Sequence, residues 1–306
     1  MILCIGEILA DMIGNVKDGA LCYERKAGGA PFNVACAAKK FGAHVGFVGS
    51  VGDDLIGDFL LKFAEEKNLD ALFIDRNANR NTTLAFVELD ERGERSFCFY
   101  RKNTADYILP DVSPTLFGAA DIVHIGSLML SEKEGLEYAE NIAKRARAEN
   151  KLLSFDVNYR TDIFKDRQTA LANYKKIIEY ADVVKFSEDE VEVFTEEYID
   201  VKLKNKLVCI SLGADGSEWR YGGRRNRVPT IKVKPVDTTG AGDAFYGGIL
   251  SKLDKLPRPM WSPENLDKIF AFANVCGALN TLGRGAIDCL PDLQTVNDRV
   301  SEGERK

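Results

Sequence analysis

Asp243 directly follows Gly240-Ala241-Gly242, inside the run Val236-Asp237-Thr238-Thr239-Gly240-Ala241-Gly242-Asp243-Ala244-Phe245. Small residues let a ligand approach the backbone. Amides at a helix N-terminus point at an anion, with the helix dipole behind them. A carboxylate beside such an anion hole repels phosphate. It is well placed instead to take a proton from a hydroxyl that attacks the phosphate. That general-base work is worth about 10²–10⁴ in rate, while the amides hold the charge that develops. Read alone, Asp243 is equally a cap carboxylate after a Gly-rich turn. A second segment, Ala27-Gly28-Gly29-Ala30-Pro31-Phe32-Asn33, joins a tight turn to an Asn with one acceptor and two donors. An Asn that starts a helix is as readily a simple cap.

Other arrangements are missing. There is no G-x-x-x-x-G-K-[ST] phosphate loop. Gly240-x-Gly242 lacks a third Gly at position 245, so the dinucleotide fingerprint fails. The two His, His44 and His124, stand in strand-like runs and read as packing or hydrogen-bonding residues, which excludes a His-rich zinc site. The seven Cys are odd in number and scattered, with no C-x-x-C, and are expected reduced in the cytosol. Chemistry must then rest on carboxylates, amides, Lys and Arg.

The elements that must position these residues alternate regularly. Apolar runs predict strands at 2–5, 45–48, 122–125, 152–155, 183–186 and 207–212, with a further strand at 231–236 leading into the Gly-rich run. Helices are expected near 33–41, 55–67, 132–149, 168–180, 188–196, 242–253 and 264–282, with Asp54 capping the second. Strand–helix alternation implies an α/β fold with a doubly wound, mostly parallel sheet flanked by helices. Ligands bind such sheets at the carboxyl ends of the strands. Residues 82–101 differ: two strand-like runs around Asp90-Glu91-Arg92-Gly93 read as a hairpin, the mark of a lid or edge sheet. Arg224-Arg225-Asn226-Arg227, beside Gly222-Gly223, reads as a solvated hairpin turn, and the tail from Val300 as frayed.

Composition narrows the classes. Among 306 residues, apolar types make up 45% and charged types 29%, which places the chain with globular proteins. The net charge of −6 offers no broad basic surface for nucleic acid. No apolar run approaches the roughly 18–20 residues of a membrane span, and the first residues show no basic secretory leader.

Taken together, the two Gly-containing segments resemble both signatures of the ribokinase-like, PfkB-type sugar kinases, with Gly46, Gly49 and Gly52-Asp53 in the stretch that follows the first. The resemblance runs over roughly 2–291 and is closest to the fructokinases. It is carried there by Gly28-Gly29-Ala30-Pro31-x-Asn33 and by Thr82-Thr83-Leu84-Ala85-Phe86-Val87 with Phe99-Tyr100-Arg101, while Phe155-Asp156-x-Asn158-x-Arg160 resembles a segment that fructokinases share with 2-keto-3-deoxygluconate kinases. It implies one kinase domain over 1–306, with a small β-sheet lid built from strands within about 11–26 and 82–105.

The resemblance also implies roles. Asp243 matches the catalytic base, and Gly240, Ala241 and Gly242 match its anion hole. Asp11 matches a sugar-binding acid, with Gly28, Gly29 and Asn33 as further sugar contacts. Arg101 and Arg160 match arginines at the substrate or phosphate end. The loop Ser211-Leu212-Gly213-Ala214-Asp215-Gly216 and Asn274 match ATP contacts, so Ser211, Gly213, Asp215 and Gly216 are expected near the nucleotide. Lys185 could face phosphate. Ser187-x-x-Glu190 stands where relatives carry Asn-x-x-Glu; the Ser departs from the pattern, and Glu190 would organise Mg²⁺ through water. Asp237 and Thr239, with carbonyls near Gly283 and Gly285, match a K⁺ site. A cytoplasmic homodimer joined through the lid is expected. The rival readings are a 2-keto-3-deoxygluconate kinase, which needs a cationic pocket, and a catalytically silent sugar-binding protein of the same fold.

Overall fold

The computed structural model describes residues 1–89 and 95–304. The chain begins with β1 (Ile2–Ile5), β2 (Leu9–Lys17), β3 (Ala20–Gly28), α1 (Ala30–Lys40), β4 (Val45–Gly52), α2 (Leu55–Glu65) and β5 (Ala71–Asn77). Next come β6 (Leu84–Leu89), β7 (Arg95–Tyr100), α3 (Pro114–Gly118), β8 (Ile122–Ile125), α4 (Lys133–Ala148), β9 (Leu152–Asp156) and α5 (Arg167–Tyr180). Then follow β10 (Val183–Ser187), α6 (Glu188–Phe194), α7 (Glu196–Lys202), β11 (Leu207–Ser211), β12 (Ser217–Tyr221) and β13 (Arg224–Val228). The chain closes with α8 (Ala241–Leu253), α9 (Pro263–Asn280) and α10 (Leu293–Glu304).

Nine strands form one sheet in the order β13-β12-β11-β10-β9-β8-β1-β4-β5. It is parallel from β5 to β11 and antiparallel at β12 and β13. Strand β1 is wholly apolar and wholly buried because helices cover both faces of the sheet. On one face α1, α8 and α9 pack Phe32, Ile249 and Phe270 against it; on the other, α4 and α5 supply Ile142 and Ile177. The strand order reverses at β1, which pairs with β4 on one side and β8 on the other. A crevice opens at the carboxyl ends of the strands at such a reversal. Over it lies the second sheet, β3-β2-β6-β7, which holds the expected lid strands. The proposed turn residues 90–93 lie outside the described residues.

Several local expectations change. Residues 231–236 pair with no strand; Pro235 lacks a donor there, and Val236 and Asp237 donate instead to the Thr281 carbonyl at the end of α9, at 2.7 and 3.1 Å. Helix α1 starts at Ala30 with Pro31 in its first turn, so Asn33 lies inside the helix and is not its cap. The helix expected over 188–196 divides at Thr195, whose φ of 74° ends α6 and whose side chain caps α7. Arg224 to Arg227 lie on the edge strand β13, not in the turn, which is Gly222–Gly223. The tail continues as α10 through Glu304 instead of fraying at Val300. Asp54 caps α2 as expected, accepting from the Ile56 and Gly57 amides at 3.0 and 2.8 Å. His124 is buried on β8 beside Ser154, but His44 is exposed ahead of β4, 3.2 Å from Asp70.

Candidate active site

The Gly-rich run places Asp243 in the first turn of α8, behind Gly240. Gly240 adopts φ 74°, and a Cβ there would lie 2.6 Å from the Ala286 Cα, so only Gly satisfies both backbone and space. Across the cleft, the Asn33 amide nitrogen donates to Asp243 Oδ2 at 2.8 Å, joining residues 210 apart in sequence. The two Gly-containing segments thus meet at one carboxylate. Burial pushes the Asp243 carboxyl up to about 6, and the nearby Asp156 charge adds to this; the Asn33 hydrogen bond, Lys185 and Arg160 oppose it. A carboxylate poised there is ionised at neutral pH yet basic enough to take a proton.

A cavity of about 320 Å³ opens at this carboxylate, between the two sheets. Leu9, Asp11 and Phe99 of the small sheet form one wall, and Ala30 and Asn33 of α1 another. Asn158, Arg160, Lys185 and the Thr238–Gly242 turn complete it. Asp11 lies tight against Gly28: a Cβ on Gly28 would fall 2.2 Å from Asp11 Oδ2, so any side chain at 28 displaces the acid. Lys185 is buried in the middle of β10 and holds both oxygens of Asp156 at 2.9 and 3.0 Å. Its ammonium also lies next to Gly242, 3.6 Å from where a Cβ would be. One ammonium therefore stands beside the first turn of α8, where the Ala241 amide donates to the Thr238 carbonyl at 3.2 Å. A larger cleft of about 640 Å³ lies at the opposite ends of the strands, around Arg147, Lys206 and Arg258. Its cations serve the carboxyl end of α5: Lys206 donates to the Glu179 and Ala181 carbonyls and Arg147 to Glu179, as helix ends favour.

The sequence pattern of pfkB family carbohydrate kinases matches residues 1–293. The chain belongs to this family. A probable fructokinase-7 of Arabidopsis thaliana is 35% identical to it, over 98% of this chain and 92% of that protein. The crystal structure of a fructokinase with bound ATP from Xylella fastidiosa aligns with a TM-score of 0.89 at 31% identity, covering 99% and 98% of the two chains. A fructokinase double mutant from Vibrio cholerae O395, with fructose, ADP and potassium bound, aligns with a TM-score of 0.87 at 29% identity, covering 97% of each chain.

Within this pfkB site, several of the expected residues already hold partners in the protein. Arg101 is not a cavity-wall residue. It is 4% exposed, its Nε and one amino group donate to Asp106, and the other amino group donates to Tyr107, the Leu128 carbonyl and Ser131. Each of its three guanidinium nitrogens already donates within the protein, behind the wall. Asn274 likewise commits its amide nitrogen to the Val228 and Pro229 carbonyls, at 2.8 and 3.2 Å. Ser187 and Glu190 form a capping box: the Ser187 hydroxyl accepts from the Glu190 amide, and Glu190 accepts from the Ser187 and Tyr159 amides at 2.7 and 2.6 Å. Burial raises the Glu190 carboxyl above its ordinary range.

The remaining positions form two groups. Ser211 ends β11, its hydroxyl 3.4 Å from the Phe186 carbonyl, and Gly213, Ala214 and Asp215 form an exposed turn closed by buried Gly216. Asp237 accepts from the Thr239 amide at 2.7 Å and from the Gly285 amide at 3.1 Å, so it ties the 237–239 turn to the 283–285 loop. Among the described residues no cluster of three or more His, Cys, Asp or Glu could hold a metal ion directly, and no helix is long and apolar enough to cross a membrane. Two residues carry weight that sequence reasoning missed. Asp156 closes an apolar strand at its carboxyl end, the signal for a site residue, and Glu7 does the same after β1.

Proposed function

We propose that the protein is an ATP-dependent fructokinase that transfers the γ-phosphoryl group of ATP to the 6-hydroxyl of fructose. The observation that carries this reading is Asp243, held by Asn33 beside the amides that open α8, in a chain of the pfkB family. Fructose lies in the cavity with Asp11 accepting from its hydroxyls. Asp243 takes the proton of the attacking hydroxyl, whose oxygen forms a bond to the γ-phosphorus as the bond to the leaving ADP oxygen breaks. The Gly240 and Gly242 amides and Lys185 hold the charge on the transferring group, while the Ala241 amide, which donates to the Thr238 carbonyl at 3.2 Å, fixes the turn. The small sheet excludes water, so the γ-phosphate meets the sugar and not the solvent.

The cavity favours a neutral sugar over a keto acid. Arg160 and Lys185 are the cations among the described residues that line it, and Lys185 is paired with Asp156. With Arg101 turned into the wall, a two-arginine clamp for a carboxylate lacks its second member. Relatives named as fructokinases span the whole chain.

The donor sets suit the ions that such a reaction uses. Both Glu190 oxygens already accept amides, which suits contact with Mg²⁺ through water, the mode this ion prefers. Mg²⁺ would neutralise phosphate charge. The loops joined by Asp237 offer carbonyls for K⁺ near Thr239, Gly283 and Gly285. Among the described residues β3 and β7 are the edge strands of the small sheet, a place where a second copy could add strands to form a homodimer, and seven cysteines free of disulfides support a reducing, cytoplasmic setting.

An ADP-release assay run in parallel on fructose and 2-keto-3-deoxygluconate tests the substrate. Fructose is expected to win by about 10²-fold or more in kcat/KM; a win for the keto acid overturns the assignment. Asp11→Ala is expected to raise KM for fructose by about 10–100-fold while KM for ATP changes little. Equal effects on both would displace Asp11 from the sugar pocket.

The base also sets a pH limb. Asp243 works ionised, so turnover is present above about 6 and is lost as pH falls through that value. Lys185→Met removes a cation that lowers this ionisation and leaves the Asp156 charge that raises it. The limb is expected to move up by about one pH unit; an unmoved midpoint would show that the ammonium does not act on the base.

A further inference from the structure

Glu7 stands at the carboxyl end of β1, where the strand order reverses, and it is completely buried. Among the described residues neither of its carboxyl oxygens has a hydrogen-bond partner from another residue, and its own backbone amide is the donor that acts on it. The group is wedged against the end of β8: a Cβ on Gly126 would lie 2.8 Å from Glu7 Oε2 and 2.8 Å from Pro31 Cγ. Its backbone presses under the turn that opens α1, since a Cβ on Gly29 would lie 2.4 Å from the Glu7 carbonyl oxygen. Among the described residues, Asn33 Oδ1 is a further buried polar atom without a partner, and Ser127 Oγ and Tyr174 Oη have only each other. The charged groups whose fields reach it are Arg101, Asp106 and Asp243, and Tyr174 also feels its charge. Arg101 is already bound to Asp106 and the Asp243 charge repels an anion, so an ionised Glu7 would be a buried charge without a counter-ion.

We propose that Glu7 is a positioning residue that carries a proton in the working enzyme. As a neutral acid it fills the space beneath the Gly29–Pro31 turn and so keeps Asn33 engaged with Asp243; loss of that proton to solvent disengages the pair. Burial pushes its ionisation from 4.5 up to about 8, which places the switch above neutral pH. The sign is set by linkage. Between those two values the unfolded chain releases the proton while the folded chain keeps it, so the folded state loses stability as pH rises through that window. Above about 8 the folded protein ionises too, and the strain reaches the active site.

The proposal rests on the kinase reading only through its activity readout. Protein labelled with ¹³C at the Glu carboxyl carbon should show one resonance that titrates near the value above and disappears in Glu7→Gln. Should that variant fail to fold, retention of the resonance in Glu190→Gln assigns it. In the same samples, kcat at about pH 9.5 relative to about pH 7 should fall roughly tenfold or more in the wild type and stay within about twofold in Glu7→Gln. The variant's melting temperature should also gain on the wild type as pH rises from about 5 to about 8. A Glu7 that titrates in the ordinary carboxylate range, or an alkaline fall that Glu7→Gln retains in full, overturns the proposal. The carboxyl titration needs no substrate, so failure of fructose to react bears on the substrate assignment alone.

Discussion

Asp243→Asn is expected to lower kcat by about 10³-fold or more while KM for sugar and for ATP stay within a few fold. The substitution is nearly isosteric, so the cavity keeps its shape. The new amide can donate to the Asn33 side-chain oxygen, a buried acceptor that lacks a partner in the wild type. What is lost is basicity: an amide at 243 cannot take the proton that Asp243 takes, with its ionisation pushed up to about 6. The Gly240 to Gly242 amides remain, so residual turnover measures what the anion hole and positioning supply alone. Steady-state kinetics with fructose and ATP, with binding of both ligands measured directly, separate the two contributions. Turnover within about tenfold of wild type would remove Asp243 as the base.

Arg101→Met carries the second large effect, and it falls on stability. Arg101 and Asp106 form an ion pair that is almost wholly withdrawn from water, with side-chain exposures of 2% and 1%. Asp106 also accepts from the Thr83 and Thr104 hydroxyls at 2.6 and 2.7 Å. Removing the guanidinium leaves that carboxylate buried with hydroxyls only, and it leaves the Leu128 carbonyl with the Ser131 hydroxyl, at 2.9 Å, in place of two donors. Breaking such a pair typically costs about 3–5 kcal/mol, a large part of the roughly 5–15 kcal/mol that holds a domain folded. Denaturant unfolding at neutral pH measures it. The protein that remains folded should keep its KM for fructose within a few fold. An unchanged midpoint with KM raised about 10²-fold would instead put Arg101 on the substrate.

These two residues show where sequence reading works and where it stops. Asp243 was legible because its chemistry is local. A carboxylate one residue past Gly-Ala-Gly, at the start of a helix, stands at the positive end of that helix whatever the rest of the fold does. Asp54 capping α2 and the apolar strand β1 were legible for the same reason, since neighbours in sequence decide both. Arg101 was not legible. Its partners come from the loop after β7 and from the segment after β8, and nothing along the chain says whether a long cation at a strand end turns toward a cavity or into the wall.

By itself, then, the sequence determined the alternating α/β fold, the two segments that meet at Asp243, and the resemblance that the pfkB match bears out. Only the tertiary structure decided which side chains share one space. It brought Asn33 onto Asp243 across 210 residues, paired Lys185 with Asp156, and left Glu7 buried without a counter-ion. The physical reason is range. Turn and helix-end chemistry acts over a few residues, whereas burial, pairing and pKa shifts depend on which elements pack at the crevice where β1 meets β8.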